Sequence, residues 1–285
     1  DWSSDVCSSD LNYKNIRLGQ SVKDIKSKLG EPNKIEKSEY GFDWYVYNSD
    51  YSKFCMVGIL QNKVVALFSN TMDSCESNIK LGTTESQVLK NYKPLEYRLK
   101  GNVRYIINED YYSVIKTKTS YITAFYDSFD GNKVVGIQII SKKVEENMDG
   151  IYSTDSSICG DFENVNRYLI NSERFNKNLN TLSYDENATL CARYHSKDMR
   201  DNDYFAHNNL KNQTPFDRMS SYNINYMAAA ENIAGGQTSG IFAHYALMNS
   251  KGHRVNILGD YKYIGVGVVF GGSLSMYLTD RKSVV

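Results

Sequence analysis

The chain has 285 residues, room for about two domains, and its 41% hydrophobic, 23% charged composition is that of a globular protein with a buried core, not of a disordered one. Lys plus Arg and Asp plus Glu balance at 33 each, so there is no net positive field to draw phosphates and nucleic-acid binding is not expected. No run approaches the roughly 20 apolar residues of a membrane-spanning helix.

Residues 1–11 (DWSSDVCSSDL) have no apolar periodicity and resemble translated sequencing-adapter DNA, as does the tail 281–285 (RKSVV); both read as non-native and are left out of the predicted fold. The next segment, 12–141, carries an internal repeat: Ile16-Arg17-Leu18-Gly19 recurs as Ile79-Lys80-Leu81-Gly82. Each copy opens a short helix with a hydroxyl cap, Ser21 with Asp24 and Thr84 with Gln87. A proline follows each helix, Pro32 and Pro94, where a helix cannot continue. The copies end in similar strands, Asn62-Lys63-Val64-Val65 and Asn132-Lys133-Val134-Val135, and the runs 42–47, 54–60, 103–107 and 111–126 read as antiparallel strands. The expected architecture is a pair of small α/β repeat units, each one helix on its own antiparallel sheet.

Polar residues 142–158 read as a linker to a second domain, 159–280. There Phe162, Val165, Asn166 and Leu169 mark a helix, and Ser183-Tyr184-Asp185-Glu186 reads as a capping box for the next, striped by Ala188, Cys191, Ala192, His195 and Met199. Thr214-Pro215 starts a third helix, and short helices fit 240–249 and 251–257. Ile264, Val266, Val268 and Phe270 alternate with Gly265 and Gly267 as a strand, a Gly271-Gly272-Ser273 turn follows, and Leu274, Met276 and Leu278 form its partner. Helices flanking a small antiparallel sheet make the fold class α+β. With Cys7 set aside, Cys55, Cys75, Cys159 and Cys191 fit either two local disulfides, 55 with 75 and 159 with 191, or four buried thiols.

All four histidines fall between 195 and 253. His195, on an apolar stripe, reads as a buried, hydrogen-bonded structural residue, and His244 as a partly exposed helix residue. His207 follows Tyr204-Phe205-Ala206 where a helix gives way to a polar loop, a place from which it faces a cleft. Glu231, among alanines, either points to solvent or is buried against a partner or cation. His253 opens a helix just after Ser250, which can cap it, and the helix start favours a neutral imidazole there. Two imidazoles and a carboxylate are the ligand set of an open zinc site, although the spacings of 24 and 22 residues match no compact metal motif.

The stretches CARYHSKDMRDNDYFAHNN, TPFDRM, AENIAGG, MNSKGHRVNIL and IGVGVVF, in this order over about 160–279, resemble a bacterial CAP domain, the family of cysteine-rich secretory proteins, antigen 5 and pathogenesis-related 1 proteins. The repeat half resembles the domain that accompanies CAP domains in Gram-positive secreted proteins. The resemblance implies an α-β-α sandwich with a central cleft whose tetrad of two histidines and two acids takes a divalent cation, zinc or magnesium. His207, Glu231 and His253 carry over as its metal ligands, with Ser250 beside them in the cleft. No second acid is found, since Asn249 and Ser250 precede the second histidine block; Ala230 and Leu247 stand where glycine and tryptophan are usual. The resemblance further implies a secreted or surface-associated bacterial protein, its signal or anchor outside this sequence, that binds a cell-envelope component, a lipid-like molecule or a protein. The alternative is an extracellular hydrolase of the same cleft. In it, either a metal on the three residues activates water, or Ser250 acts as nucleophile with His253 as base and Glu231 orienting it.

Overall fold

The structure, a computed structural model, describes residues 16–71 and 79–284, so the 1–11 leader and Cys75 lie outside the described residues. The chain divides into two compact units, 1–151 and 152–285.

In the first unit the elements are α1 (Val22–Leu29), β1 (Lys34–Lys37), β2 (Asp43–Tyr47), β3 (Cys55–Leu60), β4 (Lys63–Ser69), α2 (Glu85–Asn91), β5 (Tyr97–Lys100), β6 (Val103–Ile106), β7 (Tyr112–Lys116), β8 (Ser120–Asp127), β9 (Lys133–Ser141) and α3 (Lys142–Glu146). Both expected capping boxes are formed, Ser21 with Asp24 and Thr84 with Gln87. The repeat is exact in its hydrogen bonding. Gly19 donates to the Val64 carbonyl and Gly82 to the Val134 carbonyl, each at 2.8 Å. Those glycines hold φ of 84° and 80°, a left-handed turn that a side chain resists.

The expected two sheets are in fact one. β4 pairs antiparallel with β9, Ala66 opposite Ile140, and the strand order is β1-β2-β3-β4-β9-β8-β7. Ile25 of α1 and Val88 of α2 enter one core with Val57, Leu67, Ile139 and Ile122, so both helices lie on the same face. Sharing a sheet removes two edges and buries both repeats' apolar residues together. Hairpin β5–β6 stands apart as a two-stranded sheet. The predicted linker is also corrected at its start: 142–146 is α3. Its Glu145 is buried, taking Arg98 at 2.7 Å, Lys100 at 2.8 Å and the Tyr40 hydroxyl at 2.7 Å.

The second unit contains α4 (Cys159–Asn176), β10 (Ser183–Tyr184), α5 (Glu186–Asp201), α6 (Pro215–Ser221), β11 (Ala228–Gly235), α7 (Gly240–Met248), α8 (Lys251–Leu258), β12 (Tyr263–Phe270) and β13 (Met276–Val284). Ser183 and Tyr184 form β10 rather than a cap, and Asp185 is the residue that caps α5 through the Ala188 amide. The sheet order is β10-β12-β13-β11. Ile264, Val266, Val268 and Phe270 pack with Phe162, Ile170, Leu247 and Ile257 of α4, α7 and α8 on one face. On the other face the glycines of the strand admit α5: a Cβ at Gly267 would sit 2.1 Å from the Arg193 amide nitrogen, and one at Gly265 2.2 Å from that of Thr189. The alternation Val–Gly that marked the strand thus records a helix pressed against bare backbone. The result is the α-β-α sandwich of the α+β class.

One further expectation is corrected, and one open choice is decided. Residues 281–284, set aside as tail, continue β13, where Arg281 pairs across to Glu231 on one side and Gly265 on the other. Flanking strands on both sides impose the extended form there, whatever the composition. Of the two readings left open for the cysteines, free thiols hold for Cys159 and Cys191.

Candidate functional site

Glu231 lies on β11, the sheet's edge strand, and successive side chains of a strand alternate in direction. Glu231 therefore faces the α5–α6 side, while Asn232 faces the α7–α8 side. Glu231 is buried, its side chain 1% exposed, and its Oε1 lies 2.9 Å from His207 Nδ1. Burial works against its charge, but the His207 hydrogen bond and the nearby Arg281, His195 and Arg218 outweigh that, holding the carboxyl below its usual range. An ionised carboxylate only accepts, so His207 Nδ1 carries a proton, and in the neutral ring Nε2 carries the free lone pair. The His207 side chain is 49% exposed, so the ring is half open to solvent.

Beneath this pair lies a buried polar cluster. Arg218 of α6 reaches Glu231 Oε2 at 3.1 Å, and Arg281 of β13 reaches it at 2.5 Å. Arg218 also donates to the His207 carbonyl at 2.7 Å and to the Gln213 carbonyl at 2.7 Å. His195 of α5 is fully buried, with Nε2 3.0 Å from the Ala206 carbonyl and 3.9 Å from Glu231. Burial lowers its pKa to about 4, so the ring is neutral and its Nε2–H is the donor.

His253 and Ser250 approach from α8. The His253 carbonyl accepts from Asn232 Nδ2 at 3.2 Å, and Asn256 of the same helix reaches Asn232 Oδ1 at 2.9 Å, which ties α8 to β11. Burial lowers the pKa of His253, Asp280 opposes the shift, and His207 and Lys282 reinforce it. Ser250 occupies the N-cap position of α8 without the expected side-chain capping bond. His244, expected to be partly exposed, is fully buried, because α7 (GIFAHYALM) is packed on all sides.

Comparison with known proteins follows this division. The sequence profile described as CAP-associated N-terminal matches residues 18–150, and that of the cysteine-rich secretory protein family matches residues 167–279. The uncharacterized membrane protein YlbC of Bacillus subtilis (strain 168) is 30% identical over 282 residues, which cover 88% of this chain and 79% of that protein. The chain belongs to the CAP family. The chain is also 45% identical over 107 residues to the uncharacterized protein YkwD of the same organism, a match covering 37% of this chain and 42% of that one. Among solved structures, an extracellular protein containing a SCP domain from Bacillus anthracis str. Ames superimposes with a TM-score of 0.81 at 24% identity, covering 99% of this chain and 98% of that one. A cysteine-rich secretory protein of Staphylococcus aureus subsp. aureus Mu50 gives 0.72 at 16% identity, with 93% of each chain covered. At those identities the likeness establishes the fold.

The CAP residues His207 and Glu231 are brought into contact, and the His253 carbonyl is bonded to Asn232, the next residue of β11, but the three do not suit a divalent cation. Among the described residues no three His, Cys, Asp or Glu side chains gather closely enough to hold a metal ion. The Glu231 oxygens are already taken by two guanidinium groups and an imidazole, so a dication there would meet two positive charges at contact distance. Sequence reasoning missed Arg218 and Arg281. Arg218 stood inside the quoted TPFDRM block without a role, and Arg281 stood inside the excluded tail.

Proposed function

We propose that this CAP protein acts at the cell surface or after secretion, as a binding protein whose ligand meets His207. The carrying observation is the His207–Glu231 pair: one ring nitrogen fixed on a buried carboxylate, in a ring half open to solvent whose other nitrogen, when neutral, is an acceptor. Such a nitrogen takes a hydrogen bond from a ligand hydroxyl, amide or ammonium group. The cell envelope supplies all three, in its glycans, lipid headgroups and proteins. An extracellular SCP-domain neighbour and a relative termed a membrane protein support this location. No helix among the described residues is long and apolar enough to cross a membrane. The repeat unit then serves as a spacer or partner-recognition module.

The hydrolase reading has less support, since Glu231 is engaged by His207, Arg218 and Arg281 rather than by His253, the base it would have to orient. Co-sedimentation with cell-wall sacculi, vesicles of envelope lipids and envelope proteins tests the binding reading. His207→Ala is expected to weaken the retained interaction about 5- to 10-fold, the worth of one hydrogen bond, in a protein still folded at the temperature of the assay. Equal retention of wild type and His207→Ala on every fraction would sink it.

A further inference from the structure

We propose that Arg218 is a positioning residue that, together with His195, holds the His207 ring in one pose and one tautomer. This rests on the reading that His207 meets the ligand, but it concerns the protein alone and is tested without one.

His207 is carried by a loop, and loops by default move. Here the loop is closed at both ends by one side chain. The Arg218 guanidinium, 2% exposed, spans the His207 carbonyl at 2.7 Å, the Gln213 carbonyl at 2.7 Å and the Glu231 carboxylate at 3.1 Å. Within the loop, Asn209 Oδ1 accepts from the amides of Lys211 at 3.1 Å and Gln213 at 2.9 Å, so the segment behind His207 is internally tied. One residue earlier, the Ala206 carbonyl is taken by His195 at 3.0 Å. Two consecutive carbonyls are thus gripped by two buried side chains that also flank Glu231. The backbone under His207 and the carboxylate beside its ring are thereby fixed relative to each other. Three acceptors in three directions require the planar fork of arginine; the single ammonium of lysine reaches fewer.

The test is 15N NMR of the full chain at mildly alkaline pH, where an imidazole is neutral. Wild type, Arg218→Lys, Arg218→Met and His195→Gln are compared, with amide exchange at Lys211 and Gln213. In wild type His207 is expected almost wholly as the Nδ1–H tautomer, with Nε2 at its unprotonated shift. Arg218→Met is expected to reduce that preference about 10-fold and to speed loop exchange by a similar factor, the worth of a charge-assisted hydrogen bond. Arg218→Lys should recover part of both effects. A wild-type ring in the Nε2–H form, or as an even mixture, overturns the proposal. So does an unchanged tautomer and unchanged exchange in a folded Arg218 variant. Should the arginine variants fail to fold, wild type and His195→Gln decide by the same two readouts, the latter expected to loosen the loop. A locked tautomer with envelope binding indifferent to His207→Ala would leave the brace standing and remove the binding function.

Discussion

Glu231→Gln keeps the shape of the side chain and removes its charge. In the wild type that charge sits 2.5 Å from Arg281, 3.1 Å from Arg218 and 2.9 Å from His207, behind a side chain 1% exposed. The amide leaves two guanidinium groups, both almost wholly buried, without a counter-charge. Breaking a buried ion pair from one side costs about 3–5 kcal/mol. In a unit of this size each kcal/mol moves the midpoint by about 4 °C, so the CAP transition should fall by roughly 10–20 °C while the transition of the repeat unit stays in place. Differential scanning calorimetry of the full chain reads both. The pH dependence gives a second check. The Glu231 carboxyl is held below its ordinary 4.5. Its contribution is therefore complete above that value and is lost as the pH falls through the folded-state pKa. The gap between wild type and Glu231→Gln should close on acidification. A variant melting within about 2 °C of wild type at neutral pH, or a gap that widens in acid, would refute the account of the cluster.

Three other outcomes are expected. Gly267→Ala sets a methyl 2.1 Å from the Arg193 amide nitrogen, against backbone that cannot swing away; a loss of about 3 kcal/mol or more in urea unfolding of the CAP domain is expected. His244 has no hydrogen-bond partner for either ring nitrogen among the described residues, and burial lowers its pKa to about 3 from 6.5. Between those values the unfolded chain takes a proton that the folded chain refuses, so stability is full above 6.5 and falls with pH. His244→Phe should flatten that slope and be favoured by about 2 kcal/mol at around pH 5 relative to neutral pH, read from urea midpoints; His195 keeps a residual slope. Ser21→Ala and Thr84→Ala remove equivalent caps in the two repeats. Each should cost about 1 kcal/mol, and unequal losses in thermal melts would deny the equivalence.

Much of the fold was legible because local signals and tertiary placement agree. The two capping boxes, the repeated Gly19 and Gly82 turns and the Val–Gly alternation of β12 are each written in a few adjacent residues. β11 was not legible. Ala228-Ala229-Ala230-Glu231 has no strand propensity, and it is extended because β13 pairs along its whole length. The merged sheet was hidden for a similar reason, since Leu67 and Ile139 meet across more than the length of a repeat. At the site, His207, Glu231 and His253 stood out by residue type and by family resemblance. Arg218 did not, because a buried arginine and a solvated one look alike until the carbonyls it spans are located. His244 was misplaced because its helix has no polar face to reveal which side is buried.

The β4–β9 pairing also sets an order of assembly. β4 (Lys63–Ser69) is complete long before Ile137–Ile140 leaves the ribosome. Through that interval Lys63-Val64-Val65-Ala66-Leu67-Phe68-Ser69 is an apolar strand with one unpaired edge, the kind that recruits strands from other chains. The first repeat cannot be finished by itself; it waits for the end of the second, a separation that slows folding. A chain cut between the repeats is thus a sticky fragment rather than half a domain, and the price of fusing two small sheets into one plate is a vulnerable half-made state.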